Sequence, residues 1–163
     1  MPKKRLKTGI FSFTCCEGCT VTFIELLNKK FFEYREKMGI CSFRVLKSSP
    51  KLCKMDLAII EGAISTESER KKLLKIRKNA KKVMAIGSCA VTGMPSSQRN
   101  SFSKELKKQI WPLVKRLHQL DEIKPLHDYV KVDISLNGCP VGINHLEKSI
   151  DECLKGGKHA QKF

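Results

Sequence analysis

The fold turns on residues 55–89, MDLAIIEGAISTESERKKLLKIRKNAKKVMAIGSC. Met55 to Ile60 is a short apolar run closed by Glu61-Gly62, which reads as a buried strand. The segment Ser65 to Asn79 then changes character. Its start, Ser65-Thr66-Glu67-Ser68-Glu69, offers capping hydroxyls and early acids, and its later turns are basic, an order that suits a helix dipole. Val83 to Ile86 is apolar again and runs into Gly87-Ser88-Cys89. Strand, helix and strand in that order form the unit from which parallel sheets are built.

The same alternation continues outward. On the amino side, Lys7 to Phe13 reads as a strand and Val21 to Tyr34 as a helix, with apolar residues at Val21, Ile24, Leu27, Phe31 and Tyr34. Cys41 to Leu46 alternates like a second strand. On the carboxyl side a polar loop leads to a helix over Lys104 to His118, disturbed by Trp111-Pro112. A last strand, Val130 to Leu136, enters Asn137-Gly138-Cys139-Pro140, and a closing helix covers Ile143 to Leu154. The prediction is an α/β doubly wound fold with a parallel sheet covered on both faces. Such folds bind ligands beyond the carboxyl ends of their strands, near a topological switch point.

The composition narrows the function. With 163 residues and 41% hydrophobic content, the chain fits one domain. The basic residues 1–6 and the tail 155–163 are expected to be flexible. No run approaches the roughly 18 apolar residues of a membrane helix, and MPKKRLK running into GIFSFTCC is too short and polar for a signal-peptide core. A soluble, cytoplasmic protein without a membrane span is expected. In that setting eight cysteines point to metal ligation, redox chemistry or plain burial rather than to a disulfide framework. The net charge of +16 implies an anionic partner, nucleic acid or a well-solvated exterior. The run Arg70 to Lys82 holds eight basic residues and no acid; it reads as a solvated helix face or a docking face for an acidic redox partner. Nucleic acid is disfavoured, because aromatics make up only 7% and cluster around residues 11 to 34.

Cysteines recur where strands end. Cys16 and Cys19 follow the first strand, Cys89 follows the strand Val83 to Ile86, and Cys139 follows the last, so sites 70 and 50 residues apart converge on one edge. Gly18, Gly87 and Gly138 stand beside or near them, which lets backbone approach a bulky inorganic group. Four thiolates together can hold a tetrahedral zinc or a 4Fe-4S cluster. Structural zinc generally uses two close pairs. One close pair with two isolated cysteines favours a cluster.

The ordered motifs CCEGCTVTF, IIEGAIS, AIGSCAVTG and NGCPVG resemble the small subunit of nickel-iron hydrogenases, particularly the soluble sulfhydrogenase and bidirectional kinds. The resemblance runs from about residue 8 to 150. It implies a flavodoxin-like domain that carries electrons to or from the nickel-iron centre of a separate large subunit, through one 4Fe-4S cluster held by Cys16, Cys19, Cys89 and Cys139. It also implies an obligate heteromer with a further electron-transfer, ferredoxin or flavin subunit, and it sets Glu61 near the same edge, facing the partner. No catalytic residue is expected in this chain itself.

Three departures qualify the pattern. Longer family members append a second domain with further clusters, for which this sequence has no second cysteine set. Val141 replaces the second proline often found after the last ligand. The tandem Cys15-Cys16 resembles the quinone-reductase subunit of respiratory complex I, in which adjacent cysteines both bind the cluster. In the hydrogenase pattern Cys15 is the last strand residue and points away, since neighbouring side chains of an extended chain leave on opposite faces. Cys41, Cys53 and Cys153 are expected to be small buried or half-buried side chains, and no motif surrounds His118, His127, His145 or His159. A rival from another class is a zinc-stabilised nucleic-acid-binding module, motivated by the charge and four cysteines.

Overall fold

The computed structural model describes residues 5–46 and 52–156. Most of the two ends expected to be flexible, residues 1–4 and 157–163, lies outside the described residues. Leu6, by contrast, already belongs to the first strand.

The apolar run Met55 to Ile60 lies in the middle strand of the sheet. Numbered in chain order, the elements are β1 (Leu6–Ser12), α1 (Gly18–Lys29), α2 (Phe31–Lys37), β2 (Met38–Phe43), β3 (Met55–Glu61) and β4 (Ile64–Thr66). They continue with α3 (Glu67–Asn79), β5 (Ala80–Ile86), α4 (Ser88–Thr92), α5 (Lys104–Arg116), β6 (Gln119–Lys124), β7 (Ile134–Leu136) and α6 (Ile143–Leu154). The main sheet runs β2-β1-β3-β5-β7, and every neighbouring pair in it is parallel. Counted among themselves, its strands follow the 2-1-3-4-5 order of flavodoxin-like folds.

Alternate residues of the central strands feed two separate cores, as the period of a strand requires. Leu57 and Ile59 of β3 pack with Phe23 and Leu26 of α1 and with Leu146 and Ile150 of α6 on one face. Ala58 and Ile60 pack with Leu73 and Ile76 of α3 on the other. Each fully buried Leu, Ile or Phe contributes roughly 1.5–3 kcal/mol of transfer free energy, so a sheet filled from both faces is where the chain gains most.

The start of α3 matches its sequence reading in mechanism. Thr66 Oγ1 accepts from the Glu69 backbone N–H while the Glu69 carboxylate accepts from the Thr66 N–H, a reciprocal capping box. On the opposite face, α1 and α2 meet at Lys30, whose ammonium pairs with Asp151 at 2.8 Å and Glu147 at 3.0 Å on α6. Tyr34 donates to the same Asp151 carboxylate at 2.8 Å.

Several elements differ from the expectations. The second strand starts at Met38 rather than Cys41, and Ile64–Thr66 is a short strand before α3 rather than its first turn. It pairs antiparallel with β6, which the polar segment QLDEIK gave no reason to expect. Helix α5 runs through Pro112; in its later half Ile110 is half-buried and Val114 buried while the rest is exposed. The last strand is confined to Ile134–Leu136; Asp133 still donates its backbone N–H to Val83 O at 2.9 Å, but its side chain takes the return bond, accepting from Val83 N at 2.8 Å and from Arg77 at 2.9 Å. Among the described residues no helix is long and apolar enough to cross a membrane.

A candidate metal site at the carboxyl edge of the sheet

Three loops build the site. After β1, Phe13 N donates to Glu61 O at 3.0 Å, and Thr14 and Ala63 exchange a pair of backbone hydrogen bonds at 3.1 and 3.0 Å. The chain then passes Cys15 and Cys16, turns at Glu17 in a left-handed conformation (φ 62°), and enters α1 at Gly18. The loops after β5 and β7 are stitched together: Gly87 N donates to Leu136 O at 2.8 Å and Ser88 N to Gly138 O at 2.8 Å. Asn137 Oδ1 accepts from Ser88 Oγ at 2.8 Å and from Gly138 N at 2.9 Å.

Close approaches bring the three loops to one place. A Cβ on Gly87, whose φ is +84°, would stand 2.4 Å from Cys19 Sγ and 3.6 Å from Gly138 O, so only glycine lets the sulfur of the first loop rest on the second. A Cβ on Gly18 would stand 3.4 Å from Cys16 Sγ and 3.8 Å from Pro140 Cβ, which sets the first loop beside the residue after Cys139. Cys89 Sγ accepts from Ser96 Oγ at 3.3 Å, and the same hydroxyl lies 3.1 Å from Thr14 O. The segment 94–97 therefore ties the second loop to the first.

The four expected cysteines reach this edge in different states. Cys19 is buried, Cys89 is half-buried, and Cys16 and Cys139 are exposed. Burial pushes the Cys19 thiol up; the Val141 backbone N–H opposes this, while the charges of Glu61, Cys16 and Cys89 add to it. Among the described residues no three His, Cys, Asp or Glu side chains stand close enough to hold a metal ion as they are. The loops converge, and the exposed thiols have room to turn. Their all-sulfur donor set, with no Cβ on Gly87 to crowd Cys19 Sγ, suits an inorganic cluster.

Cys15 corrects the sequence reading. Strand β1 ends at Ser12, so Cys15 is a loop residue and the alternation of an extended chain does not turn it away. It is half-buried. Burial pushes its thiol up to about 12, a Glu17 backbone hydrogen bond opposes this, and the charges of Glu61, Cys89 and Cys16 add to it. Its sulfur is turned back on its own loop, 3.5 Å from Phe13 O.

Glu61 corrects it a second time. The carboxylate expected to face a partner is 2% exposed and turned into the chain. It accepts from Ser12 Oγ at 2.8 Å, from the Thr20 backbone N–H at 3.1 Å and from Thr20 Oγ1. Thr20 is the third residue of α1, so Glu61 satisfies one of the amides that every helix start leaves open, and its charge meets the positive end of the helix dipole.

Other cysteines fall elsewhere. Cys41 and Cys53 form a disulfide with Cα atoms 6.5 Å apart, contrary to the expectation of two separate buried thiols. Cys153 is a half-buried thiol on α6. Ser12, Thr20 and Ser96 were not singled out from the sequence; isolated hydroxyl residues carry no spacing signal, and only the fold brings them to the site.

The family described as NADH ubiquinone oxidoreductase, 20 kDa subunit, matches residues 16–152. Among individual proteins, the chain is 28% identical over 151 residues to sulfhydrogenase 2 subunit delta of Pyrococcus furiosus, covering 93% of this chain and 63% of that one. It is 25% identical over 172 residues to the NAD-reducing hydrogenase HoxS subunit delta of Cupriavidus necator, covering 93% and 80%. Among solved structures it resembles a chain of an NAD+-reducing [NiFe]-hydrogenase in the H2-reduced state, with a TM-score of 0.82, 22% identity, and coverage of 98% and 96%. A chain of an archaeal membrane-bound sulfane sulfur reductase gives 0.53, with 18% identity and coverage of 93% and 71%.

Proposed function

This chain belongs to the NADH ubiquinone oxidoreductase 20 kDa subunit family, and on that premise we propose that it is the electron-transferring small subunit of a soluble nickel-iron hydrogenase. One 4Fe-4S cluster, held by Cys16, Cys19, Cys89 and Cys139, serves it, and a large subunit carries the nickel-iron centre. The observation that supports this reading most directly is the convergence of three glycine-flanked cysteine loops, with Cys19 Sγ against Gly87. The names of its relatives as hydrogenase delta subunits support the assembly. A cytoplasmic location and a further ferredoxin or flavin subunit belong to the same proposal.

The cluster, when bound, stores and releases one electron at a time. The chain's own groups prepare the place for it. Ser96 Oγ donates to the sulfur of Cys89, and the Val141 backbone N–H opposes the upward push of burial on the Cys19 thiol. Glu61 fixes the start of α1, on which Cys19 rides. Burial raises the Cys19 thiol, and a thiol ligand gives up its proton to bind a metal, so loading releases protons.

One observation keeps a second reading alive. Cys15 is a half-buried loop thiol directly before Cys16, as the tandem ligands of a quinone-reductase subunit would require. Anaerobic co-purification with the large subunit tests the main reading. About five irons, four from one cubane and one from the nickel-iron centre, with four sulfides and one nickel, are expected per pair of small and large subunits. About eight irons, or zinc without iron, would overturn it.

A further inference from the structure

Beside the first cysteine loop lies a cavity of about 450 Å3 between α3 and the carboxyl ends of β1 and β2. Its floor is apolar: Ile10 and Phe11 come from β1, Phe43 from β2 and Ile76 from α3. Its rim is cationic. Lys71, Lys72 and Lys75 line one side and Arg44 the other, and all four are exposed. The three lysines share one ridge because residues three and four apart on a helix are neighbours. Arg44 is paired with Glu17, and Lys71 feels Glu67. Lys72 lies 5.7 Å from the Phe13 ring centroid, and neither it nor Lys75 is in an ion pair among the described residues.

An apolar floor inside a charged rim is the anatomy of a protein interface. Val45, 55% exposed, and Leu52, 44% exposed, widen the apolar surface at the Arg44 side. Single-stranded nucleic acid needs exposed rings on which to stack, whereas Phe11 and Phe43 are buried at 7% and 2%. The position of the groove matters as much as its chemistry. Ser12 and Glu17, which line it, bracket the approach to Cys16, and the β2–β1 end of the sheet lies away from β5 and β7, which bring Cys89 and Cys139. A molecule seated here reaches the first cysteine loop from the side and leaves the opposite end of the edge free.

We propose that this groove is the docking surface for an acidic electron-carrier protein. The assignment of the occupant as a carrier rests on the electron-transfer reading above; its acidity rests on the rim. The net charge of +16 would attract any polyanion, so the test separates a local surface from the general field.

The chain is co-purified with its large subunit, and binding of an acidic two-cluster ferredoxin is followed at low and at moderate salt. Lys72→Glu with Lys75→Glu should lower the association rate at least about tenfold at low salt, since steering by local charge spans 10–10³-fold. Lys107→Glu with Lys108→Glu makes the same charge change on exposed positions of α5 and should alter the rate by less than about twofold. An equal loss in both variants, no loss in the groove variant, or no salt-dependent binding by the unaltered complex would each overturn the proposal. Iron and nickel are measured on the same preparations, so the two readings fail separately. Groove-dependent binding by an iron-free complex sinks the cluster reading alone, and a fully loaded complex indifferent to Lys72 and Lys75 sinks the docking surface alone.

Discussion

Replacing Glu61 tests the buried anchor beneath the first cysteine loop. In Glu61→Ala the two hydroxyls can find each other, since Ser12 Oγ and Thr20 Oγ1 are already 3.4 Å apart. The Thr20 amide cannot, and a buried donor left open costs about 1–3 kcal/mol. The lost side chain also leaves a cavity in a site that is 2% exposed, which brings the total to about 3–4 kcal/mol. Glu61→Gln keeps a carbonyl oxygen for Thr20 N–H, and its amide can donate to a hydroxyl turned the other way, so only charge assistance is lost, about 1 kcal/mol. Urea unfolding followed by circular dichroism reads the difference. With a slope of about 2 kcal/mol/M, the midpoint should fall by about 1.5–2 M for Ala and about 0.5 M for Gln. Amide exchange at Thr20 should quicken in the Ala variant far more than in the Gln variant. Equal midpoints for the two variants, or an Ala variant within about 0.3 M of the parent, would refute the anchor.

Two further predictions follow from named contacts. Single serine replacements, read by iron content and by the electron paramagnetic signal of the reduced protein, should lose or convert the cluster at Cys16, Cys19, Cys89 and Cys139 and keep it at Cys15; loss at Cys15 with retention at Cys19 would move the ligand set to the tandem pattern. Burial pushes the Asp151 carboxyl up, but its hydrogen bonds to Lys30 and Tyr34 outweigh this and hold it below the ordinary range. Its contribution is therefore present above the unfolded carboxylate value and lost as pH falls through the folded one. Between pH 6 and pH 3 the parent should lose urea resistance faster than Asp151→Asn; parallel curves would sink that account.

What could be read from the sequence follows from how strongly each segment is constrained. Helix α6 was expected over Ile143 to Leu154 and occupies those residues, because its apolar positions, among them Leu146 and Ile150, face one core. The α3 cap was legible because a capping box is a local pattern. Strand β6 was not, since a two-stranded sheet with β4 needs few buried side chains and leaves QLDEIK polar. At the site, glycine beside cysteine at strand ends foretold where the loops meet. The state of each thiol was out of reach, because burial of Cys19, the surroundings of Cys15 and the inward turn of Glu61 depend on residues far along the chain, such as the Val141 amide beside Cys19. The Cys41–Cys53 pairing likewise depends on the segment before β3 reaching Cys41 on β2 although β1 lies between the two strands.

The brevity of β7 has a kinetic meaning. It is held to β5 by three register pairs, Met84 with Ile134, Ala85 with Ser135 and Ile86 with Leu136, and all three of its residues are only half-buried. Proteins open by cooperative pieces, and pieces with few buried contacts open first. This edge can therefore lift as a unit while β1, β3 and β5 stay paired, once the bonds of Gly87 N to Leu136 O and of Ser88 N to Gly138 O also break; it would take Cys139 with it and leave Cys16, Cys19 and Cys89 in place. The hinge is marked by Asp133, whose bonds to Val83 and Arg77 must break before the strand detaches. A cluster bridging Cys139 to the other loops binds only the closed form, so it would slow amide exchange along Ile134–Leu136 in proportion to its affinity. Insertion of the cluster and closure of the sheet would then be one equilibrium, read at two places on the chain.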